Sequence, residues 1–258
     1  MPRYRLTLEY AGTRYSGWQI QQNARTVQGE LHRAVVDATG DRRVSSYGSG
    51  RTDAGVHALG QIVHVDLSGT LPAGTLMTRV NEVLPHDINV LEAARVPPRF
   101  HARHSAVARS YLYQIARRRT AFAKPFVWWV REDIDVDRMR EAARALVGMG
   151  DFRAFTDDDP EEKSTEVLLG NVHVEPYDSL VLVRVVGSHF LWKMVRRIVG
   201  VLAEVGRGGI EAGAVPRLLG SDSPVPARLT APASGLFLER VFYEAPPRDW
   251  PLAPAIWR

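Results

Sequence analysis

The densest concentration of chemically capable residues lies in Gly48-Ser49-Gly50-Arg51-Thr52-Asp53-Ala54-Gly55-Val56-His57-Ala58. Three familiar loops fail against it. No Gly-Lys-Ser/Thr follows, so it is not a P-loop. Asp53 stands where a dinucleotide fingerprint needs its third glycine. Ser49 lacks the Gly-x-Ser-x-Gly frame of a nucleophile elbow. What remains is one carboxylate in a glycine-rich turn, with an arginine two residues before it. Glycines let the backbone take unusual angles and let a bulky ligand approach closely. Asp53 can then serve as nucleophile or base, or it can be an Asx-turn residue that only shapes the loop.

Other candidates are distributed along the chain. In Arg109-Ser110-Tyr111-Leu112-Tyr113, strand alternation puts Arg109, Tyr111 and Tyr113 on one side. That pattern fits either a base-stacking platform beside a phosphate contact or a pair of core tyrosines. Arg196 lies off the centre of the apolar face of a helix containing Met194-Val195-Arg196-Arg197. A cation in such a place would keep a neighbouring aspartate ionised. His101-x-x-His104 has metal-ligand spacing but no third ligand nearby, and no metal is expected. The run Asp157-Asp158-Asp159-Pro160-Glu161-Glu162 reads either as a Mg²⁺ site of a nuclease or as a solvated loop.

These residues need elements to hold them. Alternation over 4–10 predicts a strand. Thr26 caps a helix carrying Val27, Leu31, Ala34, Val35 and Ala38, which stops at Gly40. Strands at 43–48 and 60–67 flank the Asp53 loop. A helix follows through Leu76, Val80, Val83 and Leu84, then a strand from Ile88 to Ala93. Pro97-Pro98 breaks the chain. The second half runs through a strand over Ser110–Ala116 and a helix from Asp135 carrying Met139, Ala142, Ala143, Leu146 and Val147. It continues with a hairpin of 166–175 and 179–187 around Pro176-Tyr177-Asp178, and a long helical stripe from Leu191 to Val205 ending at Gly206. A short helix near Ile210–Leu219 and a strand from Leu236 to Tyr243 close it. Both halves repeat one order, which fits an α+β class with halves at 1–100 and 101–258.

The chain has 258 residues, 45% hydrophobic and 24% charged, as globular proteins do. The absence of cysteine excludes disulfides, thiolate metal sites and cysteine nucleophiles. No apolar run reaches the roughly 18–20 residues of a membrane span, and no apolar signal core follows Met1-Pro2-Arg3-Tyr4-Arg5. A soluble, cytoplasmic protein is expected. Net charge is +4, and only three of 33 basic residues are lysine (Lys124, Lys163, Lys193). A GC-rich genome would produce that ratio, and so would a need for bidentate phosphate contacts. Distribution is more telling: Ala93–Arg131 holds nine basic residues and no acidic one, while Glu132–Glu166 holds twelve acidic and five basic. A one-sign stretch that includes Phe100, Tyr111 and Tyr113 suits a polyanion with exposed bases.

Gly50-Arg51-Thr52-Asp53-Ala54-Gly55-Val56-His57-Ala58 resembles the active-site loop of the tRNA pseudouridine synthase A family. The likeness runs along nearly the whole chain. It includes Gly17-Trp18-Gln19-x-Gln21, Thr26-Val27-Gln28-Gly29-Glu30-Leu31, Gly60-Gln61 and Asn81-x-x-Leu84-Pro85-x-Asp87-Ile88. It continues with Phe100-His101-Ala102-Arg103-x-Ser105-Ala106, Arg109-x-Tyr111-x-Tyr113, Phe190-Leu191-x-x-Met194-Val195-Arg196 and Pro232-Ala233-x-Gly235-Leu236.

The resemblance implies two ferredoxin-like halves forming one extended antiparallel sheet, with helices on one face and a central basic cleft. It implies a homodimer acting on tRNA, converting uridine to pseudouridine at about positions 38–40 of the anticodon stem-loop, with no cofactor and no metal. Asp53 aligns with the catalytic aspartate, Tyr111 with the tyrosine stacking on the target base, and Arg196 with the basic partner of the aspartate. Arg51 aligns with an arginine that holds the base out of the helix, and Leu236 with an apolar residue of the pocket. Arg109 and His57 fall in with substrate binding. Two places depart from the pattern: His189 stands before Phe190 where a small residue is common, and Glu166-Val167-Leu168 follows Thr165 where an arginine is common. Both bear on which position is modified more than on the reaction. Three other readings remain: an RNA-binding protein without catalysis, a metal-dependent nuclease using the acidic run, and the same chemistry on another RNA.

Overall fold

Alternation between Arg3 and Tyr10 produces strand β1 (Arg3–Tyr10), with Tyr4, Leu6, Leu8 and Tyr10 buried and Arg3, Arg5, Thr7 and Glu9 on the half-exposed face. The structure, a computed structural model, describes residues 1–256. The expected halves ran to residue 258, so their last two residues lie outside the described ones. The described chain divides into two compact units. The first is Met1–Val107 with Leu238–Ala245, and the second is Ala108–Phe237 with Pro246 onward. The class is mixed α and β, and the strand pairings are mostly antiparallel.

In the first unit, β1 is followed by α1 (Val27–Thr39), β2 (Ser45–Gly48), β3 (His57–Asp66), α2 (Ala73–Val83) and β4 (Ile88–Val96). The side chain of Thr26 accepts the Gly29 N–H, and Gly40 closes α1 in the left-handed conformation at φ 71°. β1 lies between β4 and β3, antiparallel to both, from Arg3↔Asp66 and Arg3↔Val96 onward. β2 pairs with the far end of β3, Ser45↔Asp66 to Gly48↔Val63. α1 packs on α2, and α2 on β4, over the face carrying Tyr4, Leu6 and Leu8. On the other face Arg5 pairs with Glu92, and Asn89 donates to Glu9.

The second unit contains β5 (Ala108–Ala116), β6 (Trp128–Trp129), α3 (Val136–Arg144), β7 (Gly148–Asp151), β8 (Glu166–Tyr177), β9 (Leu180–Gly187), α4 (Met194–Gly206), the single-turn α5 (Val225–Arg228) and the start of β10 (Leu236–Phe242). Its pairing order is β5-β9-β8-β7, with β6 parallel to the end of β5. Every residue of β5 is buried, and all of β9 after Leu180. An antiparallel sheet with helices on one face only would show alternation. Here the chain after Pro246 covers the other face: Arg184 donates to the carbonyls of Trp250 and Pro251 with its guanidinium 4.4 Å from the Trp250 ring centre, and Gln114 accepts the Ala255 N–H.

Several element boundaries differ from the sequence expectation. α3 ends at Arg144, although Leu146 remains buried, because the chain must turn through Gly148 (φ 114°) into β7. The expected turn at Pro176 is strand: Pro176 pairs with Val181, and the reversal comes at Asp178 (φ 49°). Proline fits there because β7 covers β8 only over Glu166–Leu169, leaving its outer side unpaired. The helix expected from Leu191 starts at Met194, after Lys193 at φ 62°. The stretch near Ile210–Leu219 is 3-10 helix over Ala212–Leu218.

His64, on β3, is 1% exposed, and its Nδ1 accepts the Ala102 N–H. Burial, with the charge of Arg3 and the neighbouring His101, pushes this imidazole down from 6.5 to about 4. Below pH 6.5 the unfolded chain takes up a proton that the folded chain refuses, so the stability present above pH 6.5 is lost progressively as pH falls through about 4. The urea midpoint should therefore drop across that window, and His64→Gln should flatten the drop. The same slope in both proteins would remove His64 as its source.

Candidate active site

The Asp53 loop joins β2 to β3 in the first unit, and its backbone is held by the segment after β1. The Trp18 N–H donates to the Thr52 carbonyl at 3.0 Å, while the Thr52 hydroxyl lies 2.8 Å from the Tyr10 phenol oxygen. Gly17 takes φ 94°, and a Cβ there would come within 2.6 Å of the Thr52 carbonyl oxygen. The Val56 N–H closes a turn onto the Asp53 carbonyl at 3.1 Å, and Gly55 passes through φ 80°. At the loop entrance Ser49 Oγ donates to Gln61 Oε1, and Gln61 Nε2 donates to the Gly50 carbonyl. Asp53 is half-buried and Arg51 is exposed.

His57 is buried at the loop exit, and its Nδ1 accepts the Gly12 N–H at 3.0 Å. The ring thus ties the loop to the end of β1. The segment Tyr15–Asn23, read from sequence as a polar loop, supplies a second tie through buried Trp18 and Tyr15. Tyr15 donates to Asp87, and the Arg25 guanidinium lies 4.7 Å from its ring centre. Burial and the Asp87 contact push the Tyr15 phenol well above its ordinary range.

In the second unit, Tyr111 on β5 meets Phe190 edge-on, with ring centres 5.0 Å apart and planes at 84°. Arg109, two residues earlier, donates from Nη1 to the Ser188 carbonyl at 2.9 Å, fixing the segment that carries Phe190. Exposed His189 lies between them, with Nδ1 3.1 Å from Ser188 Oγ. Tyr111 is 8% exposed, while Tyr113 is completely buried and donates to the Pro232 carbonyl. Of the two tyrosines, Tyr113 is thus a core residue.

Arg196, in the first turn of α4, forms a reciprocal pair with Ala231. Its Nε donates to the Ala231 carbonyl at 2.7 Å, and the Ala231 N–H donates back to the Arg196 carbonyl at 3.0 Å. The chain then runs through Pro232 and a 3-10 turn, Ala233–Gly235, to buried Leu236. A Cβ on Gly235 would come 2.5 Å from the Tyr113 ring, so this passage tolerates only glycine. The fold thus brings Arg51, Asp53 and His57 together in one unit, and Arg109, Tyr111, Arg196 and Leu236 in the other.

The acidic run is partly committed to cations. Asp157 pairs with Lys193 and Arg197, and Asp158 with Lys163 while also accepting the Trp192 N–H. Burial alone would push both carboxyls up, but Lys193 and Arg197 for Asp157, and Lys163 for Asp158, hold them below the usual carboxylate range. His101 Nδ1 accepts the N–H groups of Arg103 and His104, shaping a turn. Among the described residues no group of three or more His, Asp or Glu is placed to hold a metal, and no helix is long and apolar enough to cross a membrane. Sequence reasoning missed the buried Arg197, which donates to the Ala154 and Thr156 carbonyls. Its only signal was a second arginine inside an apolar stripe.

Comparison with known proteins places this chain in a family. The family profile described as tRNA pseudouridine synthase matches residues 7–105 and 142–244. A protein of Maricaulis maris named tRNA pseudouridine synthase A is 41% identical over 249 residues, covering 95% of this chain and all of the relative. Its namesake in Bradyrhizobium diazoefficiens is 41% identical over 247 residues, covering 94% and 100%. The namesake in Lacticaseibacillus casei is 37% identical over 247 residues, with the same coverage. With matches over almost the full length of chain and relatives alike, the chain belongs to the tRNA pseudouridine synthase family of isomerases.

Proposed function

We propose that this protein converts uridine to pseudouridine in the anticodon stem-loop of tRNA, at about positions 38–40, with Asp53 as the essential residue. The observation that carries this reading is the half-buried Asp53 in a loop pinned by Trp18, Tyr10 and His57. The homodimer and the cytoplasmic setting belong to the same proposal and rest on the family resemblance.

The reaction breaks the bond from ribose C1′ to N1, turns the uracil, and joins C1′ to C5. The C5 proton leaves and N1 gains one, so atoms balance and no oxidant or reductant is consumed. The base must first leave its stack, at a cost of a few kcal/mol. Arg51, exposed on the loop, is assigned the place of the departed base. Tyr111, held edge-on by Phe190, gives the base an aromatic wall. Leu236 lines the pocket, and Arg109 and His57 serve binding through the segments they fix. An ionised Asp53 can attack a carbon of the sugar or base, or take a proton from the sugar. All these routes need the charge, and the resemblance assigns Arg196 as the basic partner of Asp53.

The finer architecture is also proposed: ferredoxin-like halves at 1–100 and 101–258 sharing a sheet, with helices on one face, around a basic cleft. Its support in the first unit is the order β1-α1-β2-β3-α2-β4 with β1 between β4 and β3 and β2 on β3. In the second unit it is the sequence β5, α3, β8, β9, α4, β10.

Tritium release from tRNA labelled at uridine C5 tests the reaction. Wild type should release label in EDTA, and Asp53→Asn should lose at least about a thousandfold in rate. Tight tRNA binding with no release by wild type would withdraw the proposal. Replacing the uridines at 38–40 by cytidine should abolish release, and persistent release would move the target elsewhere.

Tyr111 is also assigned the role of general base for the C5 proton. Tyr111→Phe keeps the ring, so a general-base role predicts a further loss of roughly 10²–10⁴-fold in single-turnover rate. An unchanged rate would leave Tyr111 with stacking alone.

A further inference from the structure

The segment joining β5 to β6 has no part in the site above, yet it carries the most exposed large apolar side chain of the described protein. Phe122 is 89% exposed. Arg117, Arg118, Arg119 and Lys124 are exposed around it, with no acidic residue between them. The base of the segment is anchored. The Arg117 N–H donates to the Ser179 carbonyl, the Val130 N–H to the Ala116 carbonyl, and Gln114 Nε2 to the Phe126 carbonyl. At the tip, the Ala123 N–H donates to Thr120 Oγ1, closing a turn that presents Phe122. Two more exposed aromatics flank the anchor. Trp129 pairs with Ala116 and is 44% exposed, and Tyr177 pairs with Leu180, itself opposite Ala116, and is 46% exposed.

A single exposed ring needs no explanation, but three exposed aromatics about one segment rimmed by cations mark an interaction surface. The charge identifies the partner. Arginines beside aromatic rings are the pattern for unstacked nucleic acid, with phosphates on the guanidinium groups and a base on the ring. A second copy of this chain fits less well, since a two-fold contact here would bring the same four cations against one another. We propose that the Arg117–Lys124 segment is a tRNA-contact surface separate from the reacting residues. An unpaired base stacks on Phe122, and neighbouring phosphates lie on Arg118, Arg119 and Lys124. The inference rests on tRNA being the substrate, and it concerns binding rather than chemistry.

The test is equilibrium binding of an unmodified full-length tRNA transcript across a salt series, with tritium release at saturating tRNA in parallel. Phe122→Ala should weaken binding about tenfold, the loss of one base–aromatic stack, and Phe122→Trp should restore it. The double change Arg118→Ala with Arg119→Ala should lower the slope of log affinity against log salt by about 1.5, for two lost phosphate contacts. Release at saturation should be unchanged in all three. Unchanged affinity and slope would overturn the proposal. So would a Phe122→Ala protein that sediments as a smaller species with undiminished tRNA affinity, which would make the patch an interface between copies. If wild type binds tRNA in a Phe122-dependent way but releases no tritium, the surface stands and the proposed reaction falls.

Discussion

The Thr52 carbonyl receives the Trp18 N–H while the Thr52 hydroxyl meets the Tyr10 phenol, so the residue before Asp53 is held at two atoms. The role proposed for Asp53 needs the carboxylate in place before the substrate arrives, and a loop gives placement only if its backbone cannot wander. Much else in the first unit serves that constraint. Position 17 is glycine because it takes a positive φ and because a side chain would strike the same carbonyl. Trp18 is buried against Tyr10 and lies so close to Gly48 that a Cβ there would come 2.7 Å from the indole. His57 spends its Nδ1 on Gly12. Removing any one of these contacts would loosen the carboxylate without touching it.

The second unit solves a related problem with different parts. Tyr111 and Tyr113 are two residues apart on one face of β5 and both are buried, but only Tyr113 is buried completely. The difference is what lies over each: Tyr113 is capped by Gly235 and the Pro232 carbonyl, while Tyr111 has Phe190 at its side. The same short passage, Ala231 to Leu236, also fixes Arg196. One stretch of irregular chain therefore sets the tyrosine core and the arginine together, and it needs glycine at 235 to come that close.

Much of this was legible in the sequence. Thr26 and Gly40 bracketed α1 because caps act through local backbone chemistry. The Asp53 loop stood out by its glycines and by matching no phosphate loop. What was not legible depends on contacts distant in sequence. Val147 continues the helical spacing of α3, but the chain leaves the helix to reach β7, a four-residue strand with two glycines and no pattern of its own. Tyr15–Asn23 reads as polar, yet Trp18 is buried because the Asp53 loop packs on it. The position of His57 in the motif says nothing of the Gly12 N–H that its Nδ1 accepts, a contact between segments distant in sequence. The tail after Pro246 has no periodicity, so its covering of β5 and β9 shows only in the unbroken burial of those strands.

The arginine bias can be read again in this light. Codon usage and phosphate recognition both account for many arginines and few lysines, but neither predicts where they point. Arg3, Arg109, Arg140, Arg184, Arg196 and Arg197 all donate to backbone carbonyls, and Arg3, Arg184 and Arg197 each reach two. Irregular segments leave carbonyls without strand or helix partners, and a buried carbonyl needs a donor. A guanidinium offers five N–H groups in a rigid fork and can satisfy two such oxygens at once, where an ammonium on a flexible stem holds neither in a fixed direction. Arg109 and Arg196 belong to this group, so replacing either by lysine would keep the charge and lose the carbonyl contact that orients it. The arginines buried in the fold thus have a structural reason to be arginine. Arg117 donates to the Asp178 carbonyl in the same way, so exposed Arg118 and Arg119 are the ones whose presence speaks for a polyanionic partner.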